Sequence, residues 1–241
     1  MTVLQSKLLS KISKVTHAFP NPNTEPPAGY SRLHQVHSGD IVALVDKSVD
    51  EMRALKADGI ITRTPRAIAV QTGDCLPVLF AARDGSVIAA VHAGWRGLHK
   101  GILVNAVEQF KRENVQASDL LIAIGPAIGC CCFEVSQDVI DHFEKDWGRL
   151  WAAREEKPWC KGQPKSEKLA RSQAPVSSND LWIDLDLIAR LQLQDAGVPD
   201  VQIEDVGHCT YCGPGEFASY RRGTHEGHAA GRQWSWIKRE N

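Results

Sequence analysis

The stretch LPVLFAARDGSVIAAVHAGWRG, residues 76–97, decides how the rest of the chain is read. Leu76 to Ala82 is an unbroken apolar run of strand length, and Val87 to His92 is a second. Between them Arg83-Asp84-Gly85-Ser86 carries the Asp-Gly signature of a tight turn. The two runs therefore form a hairpin.

Upstream, Lys14 to Phe19, Asp40 to Val45, Gly59 to Thr62 and Ala67 to Gln71 read as strands. The Pro- and Asn-rich segment Pro20 to Pro27 cannot continue the first of them. Downstream, a helix is expected from Leu98 to Glu113. Its Leu103, Ala106, Val107 and Phe110 recur at i, i+3, i+4 and i+7. Leu120 to Ile124 is a further buried strand. Ser136 is expected to cap a helix reaching about Trp151, with Ile140, Phe143 and Trp147 inward. Ala153 to Asn179 is polar and reads as an exposed insertion. Asp180 is expected to cap a helix from Leu181 to Ala196, ended by Gly197. Val201 to Glu204 and Arg232 to Arg239 close the series as strands, the latter alternating Trp234 and Trp236 with polar neighbours. Strands dominate early and helices flank them later, which predicts an α+β fold with mixed sheets.

At 241 residues, with 43 % hydrophobic and 24 % charged residues, the chain can build a sizeable core. A formal net charge of -1 offers no bulk attraction for nucleic acid or an anionic membrane. No apolar run approaches the roughly 20 residues of a bilayer span. The opening MTVLQSKLLSKISK is too polar for a secretory leader, so a cytoplasmic location is the default expectation. The 7 cysteines, an odd number, argue against a secreted disulfide framework.

Three residues stand at turns where side chains gather into sites: His37 before Ser38-Gly39, Cys75 after Thr72-Gly73-Asp74, and His92 before Ala93-Gly94. The antiparallel hairpin carries Cys75 and His92 to one edge. His37 joins them only through a long-range contact that spacing does not give. Two imidazoles and a thiolate leave a tetrahedral zinc ion one open position. Taken singly, each residue has an ordinary reading as a buried thiol or a hydrogen-bonded histidine. Cys130-Cys131-Cys132 and Cys209-x-x-Cys212 suggest a second metal site. Three adjacent cysteines on a strand alternate faces, however, so these are expected to be buried structural thiols. His225 and His228 are expected in a loop.

The stretches QVHSGDIV (35–42), ADGIIT (57–62), TGDCLPVLF (72–80), AVHAGWRGL (90–98), IGPAIGCCCFEV (124–135), CTYC (209–212) and SYRRGTHEGHAAGRQ (219–233) resemble the YfiH/laccase-domain family. The resemblance runs from about Leu33 to the C-terminus. It implies one domain over residues 1–241 with helix, sheet, sheet and helix layers. It also implies that His37, Cys75 and His92 are metal ligands, with zinc the first expectation and copper the second. Members are known as purine nucleoside phosphorylases, polyphenol oxidases and a peptidoglycan editing factor. The expected substrates are thus a nucleoside and phosphate, handled by phosphorolysis or deamination. A Cys75/His92 amidase acting on a cell-wall precursor is the alternative, copper-dependent phenol oxidation ranks below it, and a nucleoside-binding regulator is the non-enzymatic reading. Arg96, at the head of the helix after His92, suits an anion. Asp74, Ser219 and Arg221 are further candidate substrate contacts. Two departures stand out: the part before Leu33 is shorter than in the family, and 153–179 is longer.

Overall fold

A computed structural model of the chain describes residues 3–162, 180–213, 217–229 and 231–241. Its elements in chain order begin with β1 (Val15–Ala18), β2 (Ile41–Leu44), α1 (Val49–Ala54), β3 (Gly59–Thr62), β4 (Ile68–Thr72), β5 (Leu76–Ala82) and β6 (Ile88–Ala93). There follow α2 (Trp95–His99), α3 (Ile102–Arg112), β7 (Leu120–Ile124), β8 (Glu134–Val135) and α4 (Gln137–Trp147). The last are β9 (Trp159–Lys161), β10 (Leu181–Ile183), α5 (Leu185–Asp195), β11 (Ile203–Asp205), α6 (Tyr220–Glu226) and β12 (Gln233–Arg239).

The hairpin is β5–β6, in register Pro77 with His92 and Phe80 with Ala89. It lies at the centre of a six-stranded sheet of order β11-β7-β5-β6-β3-β2. This sheet is mixed: β2 runs parallel to β3 and β11 to β7, while the inner pairs are antiparallel. A second, antiparallel sheet has the order β1-β12-β4, and a third, small one the order β8-β10-β9.

Every residue of β5 and β6 is buried. The alternating side chains feed two separate cores. Val78, Phe80, Ala89 and Val91 pack with Leu103, Phe110, Phe143 and Ile188 of the helices. Leu79, Ala81, Ile88 and Ala90 pack with Phe19, Ile68, Val70 and Ile237 of the second sheet and its approaches. The layers are thus helices, large sheet, small sheet, with α1 contributing Met52 to the second core. No helix among the described residues is long and apolar enough to cross a membrane.

Several elements differ from the sequence-based expectation. The helix expected over 98–113 is two, α2 and α3, separated at Gly101, whose φ of +74° breaks the helical path. The helix expected from Leu181 begins four residues later. Leu181–Ile183 pairs with two neighbours as β10, and Asp184, not Asp180, caps α5 by accepting from the Leu187 N–H at 2.9 Å. An apolar triplet beside a helix has no period of its own, so only its pairing partners reveal a strand. Ser136 holds the cap position of α4, but its hydroxyl donates to Asp138 instead of accepting from the helix. That helix ends at Trp147, and a 3-10 turn follows over Gly148–Leu150. Val201 lies in a 3-10 turn ahead of β11. His225 is in α6 rather than a loop. Of the expected insertion, residues 153–162 include β9, and the remainder, 163–179, lies outside the described residues.

Candidate active site

His92 sits near the end of β6, buried, opposite Pro77. That register brings the start of β5, where Cys75 precedes Leu76, alongside the end of β6, as the hairpin predicted. The His37 ring reaches the same point from the loop before β2. Its Nε2 is 3.9 Å from the Cys75 sulfur, and its ring meets His92 edge-on with centroids 4.8 Å apart. One ligating atom from each of His37, Cys75 and His92 lies within 4.8 Å of the others.

The contact that draws His37 in is made by Asp58, fully buried just before β3. Its carboxylate accepts the backbone N–H of Val36 at 3.2 Å, of His37 at 3.0 Å and of Ser38 at 2.6 Å. The same carboxylate takes the Nδ1 of His92 at 2.8 Å. Three successive amides wrapped on an anion fix a turn that puts His37 at φ +58°, a region uncommon for residues other than glycine. Lys100 adds a hydrogen bond from its Nζ to the His37 carbonyl at 3.1 Å. The sequence reading did not single out Asp58; the signal that could have found it is an acid directly ahead of an apolar strand, in the ADGIIT stretch.

The electrostatics follow from this geometry. Burial alone would push the Cys75 thiol up, but hydrogen bonds and charge from His37 and His92 outweigh it and bring its pKa to about 6. Burial would lower His92, yet Asp58 and Cys75 raise it to about 9. Asp58 is itself held at about 2, since the His92 and Ser38 hydrogen bonds overcome its desolvation. Without a metal ion, the Cys75–His92 pair between about 6 and about 9 is a thiolate beside an imidazolium.

The donor set fits a metal ion. Two imidazoles and a thiolate at these separations match a tetrahedral ion with one position open. Asp58 on Nδ1 leaves Nε2 of His92 as the free ligating atom and fixes its tautomer. Gly94 makes room, because a Cβ there would stand 2.9 Å from the Cys75 sulfur and 3.0 Å from the His37 ring.

The three residues line a cavity of about 600 Å³. Arg96 and Arg221, both expected, line it as well, as do Arg32 and Arg232, which no sequence signal singled out. Each guanidinium rests on an aromatic ring: Arg96 on Trp95 at 4.4 Å, Arg221 on Phe133 at 5.4 Å, Arg32 on Trp234 at 5.5 Å and Arg232 on Tyr220 at 5.6 Å. Asp74 borders the cavity, but its carboxylate is engaged by the Thr210 hydroxyl at 2.6 Å and the Arg221 N–H at 2.8 Å. Ser219 is buried and caps α6, accepting from the Arg222 N–H at 3.1 Å, and it does not line the cavity.

The layered α+β scaffold thus brings a His–Cys–His donor group and four arginines to one cavity. The family described as multi-copper polyphenol oxidoreductase laccase matches residues 22–240, and the chain belongs to this family, the YfiH/laccase-domain proteins. Among its relatives is a protein of Pseudomonas aeruginosa named purine nucleoside phosphorylase. It is 35 % identical over 207 residues, covering 85 % of this chain and 73 % of the relative. Escherichia coli YfiH, which bears the same name, is 35 % identical over 204 residues, covering 84 % and 72 %. The crystal structure of Bacillus licheniformis YfiH superposes with a TM-score of 0.76 at 27 % identity, covering 94 % of this chain and 93 % of that one. YlmD of Geobacillus stearothermophilus shares the fold, with a TM-score of 0.80 at 24 % identity over 100 % and 97 % of the two chains.

Proposed function

We propose that this chain is a zinc-dependent purine nucleoside phosphorylase acting on adenosine, inosine, guanosine and methylthioadenosine, with adenosine deamination as a second activity. One observation carries the reading: a His–Cys–His floor, guanidinium walls and aromatic side chains share one cavity. The relatives' name supports the substrate class.

Arginines hold phosphate through paired, charge-assisted hydrogen bonds. Arg96 and Arg221 also line an adjoining space of about 500 Å³, so the anion and the nucleoside have separate room. Trp95, Phe133 and Tyr220 also line the cavity and give it apolar surface for a purine. In phosphorolysis a phosphate oxygen bonds to the sugar C1′ while the C1′–N9 bond breaks. Its electron pair leaves with the base, which takes up a proton. The guanidinium groups keep phosphate aligned and offset its charge as the bond forms. In deamination the oxygen of water adds at C6 and ammonia departs. Asp58 holds the Nδ1 side of His92, so that ring presents Nε2 to the ion. When bound by His37, Cys75 and His92, zinc supplies Lewis-acid chemistry at neutral pH, and copper is the second candidate for so soft a donor set.

The test is phosphate dependence. Ribose-1-phosphate should form from inosine or adenosine only when phosphate is present. Cys75→Ala should lose the metal equivalent held by the cavity residues and turnover together, while the far-ultraviolet circular dichroism is kept. Turnover at wild-type rate in that variant would sink the reading.

A second reading is favoured by the Asp58–His92–Cys75 line, with 2.8 Å between the first two. That order of acid, imidazole and thiolate suits a cysteine nucleophile. An amidase acting on a cell-wall precursor would release amino acid from a UDP-muramyl peptide and leave a trappable adduct on Cys75. It would keep its activity after chelation.

A further inference from the structure

Away from the cavity floor, four sulfurs meet. One ligating atom from each of Cys131, Cys132, Cys209 and Cys212 lies within 4.8 Å of every other. Alternation along a strand would have kept Cys131 and Cys132 apart, but they are not on a strand. The Gly129 carbonyl accepts the N–H of Cys132 at 2.9 Å and of Phe133 at 3.1 Å, which closes a turn. In a turn, neighbouring side chains need not oppose one another. The Cys209-Thr210-Tyr211-Cys212-Gly213 segment makes a second turn, with the Gly213 N–H on the Cys209 carbonyl at 3.0 Å. A Cβ at Gly213 would lie 2.7 Å from that carbonyl oxygen.

We propose that Cys131, Cys132, Cys209 and Cys212 form a tetrathiolate site for one structural zinc ion. Zinc–sulfur bonds of about 2.3 Å in a tetrahedron set neighbouring sulfurs roughly 3.8 Å apart. The Cys131 and Cys212 sulfurs are 3.7 Å apart, a tetrahedral edge and far beyond the ~2.05 Å of a disulfide. The Gly129 N–H points at the Cys209 sulfur at 3.3 Å, the kind of outer hydrogen bond that steadies a ligating thiolate. Gly129 also leaves space, since a Cβ there would come 3.2 Å from the Cys131 sulfur. Four thiolates fill a tetrahedron and leave no open position, so the site is structural.

The role of the ion follows from what hangs on the 209–212 turn. Thr210, inside it, donates to Asp74 at 2.6 Å, and Asp74 is the residue before Cys75. Arg222 binds the carbonyls of Thr210 at 3.0 Å and Tyr211 at 2.9 Å, tying the turn to α6. Thr210 N–H also reaches the Ala127 carbonyl at 2.8 Å. An ion here joins the 129–133 and 209–213 turns and so holds the cavity wall that carries Asp74 and Arg221.

The experiment uses the full chain with Cys75→Ser, which breaks the cavity donor set and leaves the cluster. Reduced, anaerobically purified protein should retain one zinc per chain by elemental analysis. Exchange with cobalt(II) should give the visible bands of a tetrahedral ion, with charge-transfer intensity of about four cobalt–sulfur bonds. Cys209→Ser/Cys212→Ser, in the otherwise native chain, should lose that equivalent while Cys75 and its partners keep theirs. If the paired variant does not fold, the cobalt spectrum of Cys75→Ser decides alone. A Cys75→Ser protein without bound metal, with iron in place of zinc, or with a Cys131–Cys212 disulfide overturns the proposal. Absence of phosphorolysis in the wild type would overturn only the catalytic reading.

Discussion

Asp58 is the residue on which the site turns, because one carboxylate binds the loop that carries His37 and the ring of His92. Replacing it by asparagine keeps the shape but sets an amide donor against amide donors. Asp58→Asn should lower metal affinity by about 10–100-fold, the usual effect of losing a carboxylate behind a ligating histidine. A chelator competition titration reads this directly, and unchanged affinity would show that His92 needs no such partner. Protonation gives a second prediction. With Cys75 at about 6 and His92 at about 9, the metal-free pair between these values is thiolate and imidazolium. Ligation requires thiolate and neutral imidazole, so uptake near pH 7.5 should release close to one proton from this pair. Apparent affinity should then climb about tenfold per pH unit up to about 9 and level off above it. Calorimetry in buffers of different ionisation enthalpy counts the proton. The signs for folding differ by group. The stabilisation from His92 is full below its ordinary 6.5 and is lost as pH rises through about 9. That from Asp58 is present above its ordinary 3.8 and is lost as pH falls through about 2. His37, Cys75 and His92 stood out as candidates beside turns, and only the family resemblance joined them as one set; the structure brings the three together. Arg32 and Arg232 did not stand out, since an arginine that lines a cavity looks the same in sequence as one in solvent.

The elements were legible where period and length agreed, as in β5, β6, β7 and α3. They were missed where a backbone dihedral or a partner strand decided. Gly101 is such a point: its φ of +74° ends α2 and starts α3, and a Cβ there would meet the Trp147 ring at 3.2 Å. Gly101→Ala should cost about 1–2 kcal/mol through left-handed backbone strain, with any shift of Trp147 adding to it. Urea denaturation measures this, and a gain in stability would mean that the two helices prefer to be one. Cys131 and Cys132 teach the same lesson. Their adjacency was read with strand geometry, and the turn at Gly129 reverses the conclusion.

At the scale of the molecule, two cores share the β5–β6 hairpin, and the seam between the sheets passes Gly125. A Cβ at that position would fall 2.2 Å from the Phe19 ring, which is buried in the second core, and 2.9 Å from Pro77. Gly125→Ala should therefore overpack the seam by roughly 1–3 kcal/mol. The midpoint of thermal unfolding should fall by several degrees, at about 2–4 °C per kcal/mol for a chain of this size. Scanning calorimetry checks it, and an unchanged midpoint would mean that Phe19 can retreat freely. The α+β class, the central hairpin and the closeness of Cys75 to His92 were fixed by local pattern, because strand period, turn residues and register are short-range properties. The approach of His37, the Asp58 clamp, the four arginines and the convergence of four cysteines were decided only by the tertiary structure. These contacts join residues tens of positions apart, and what closes them is the packing of buried sheets and loops, which no neighbouring residues encode.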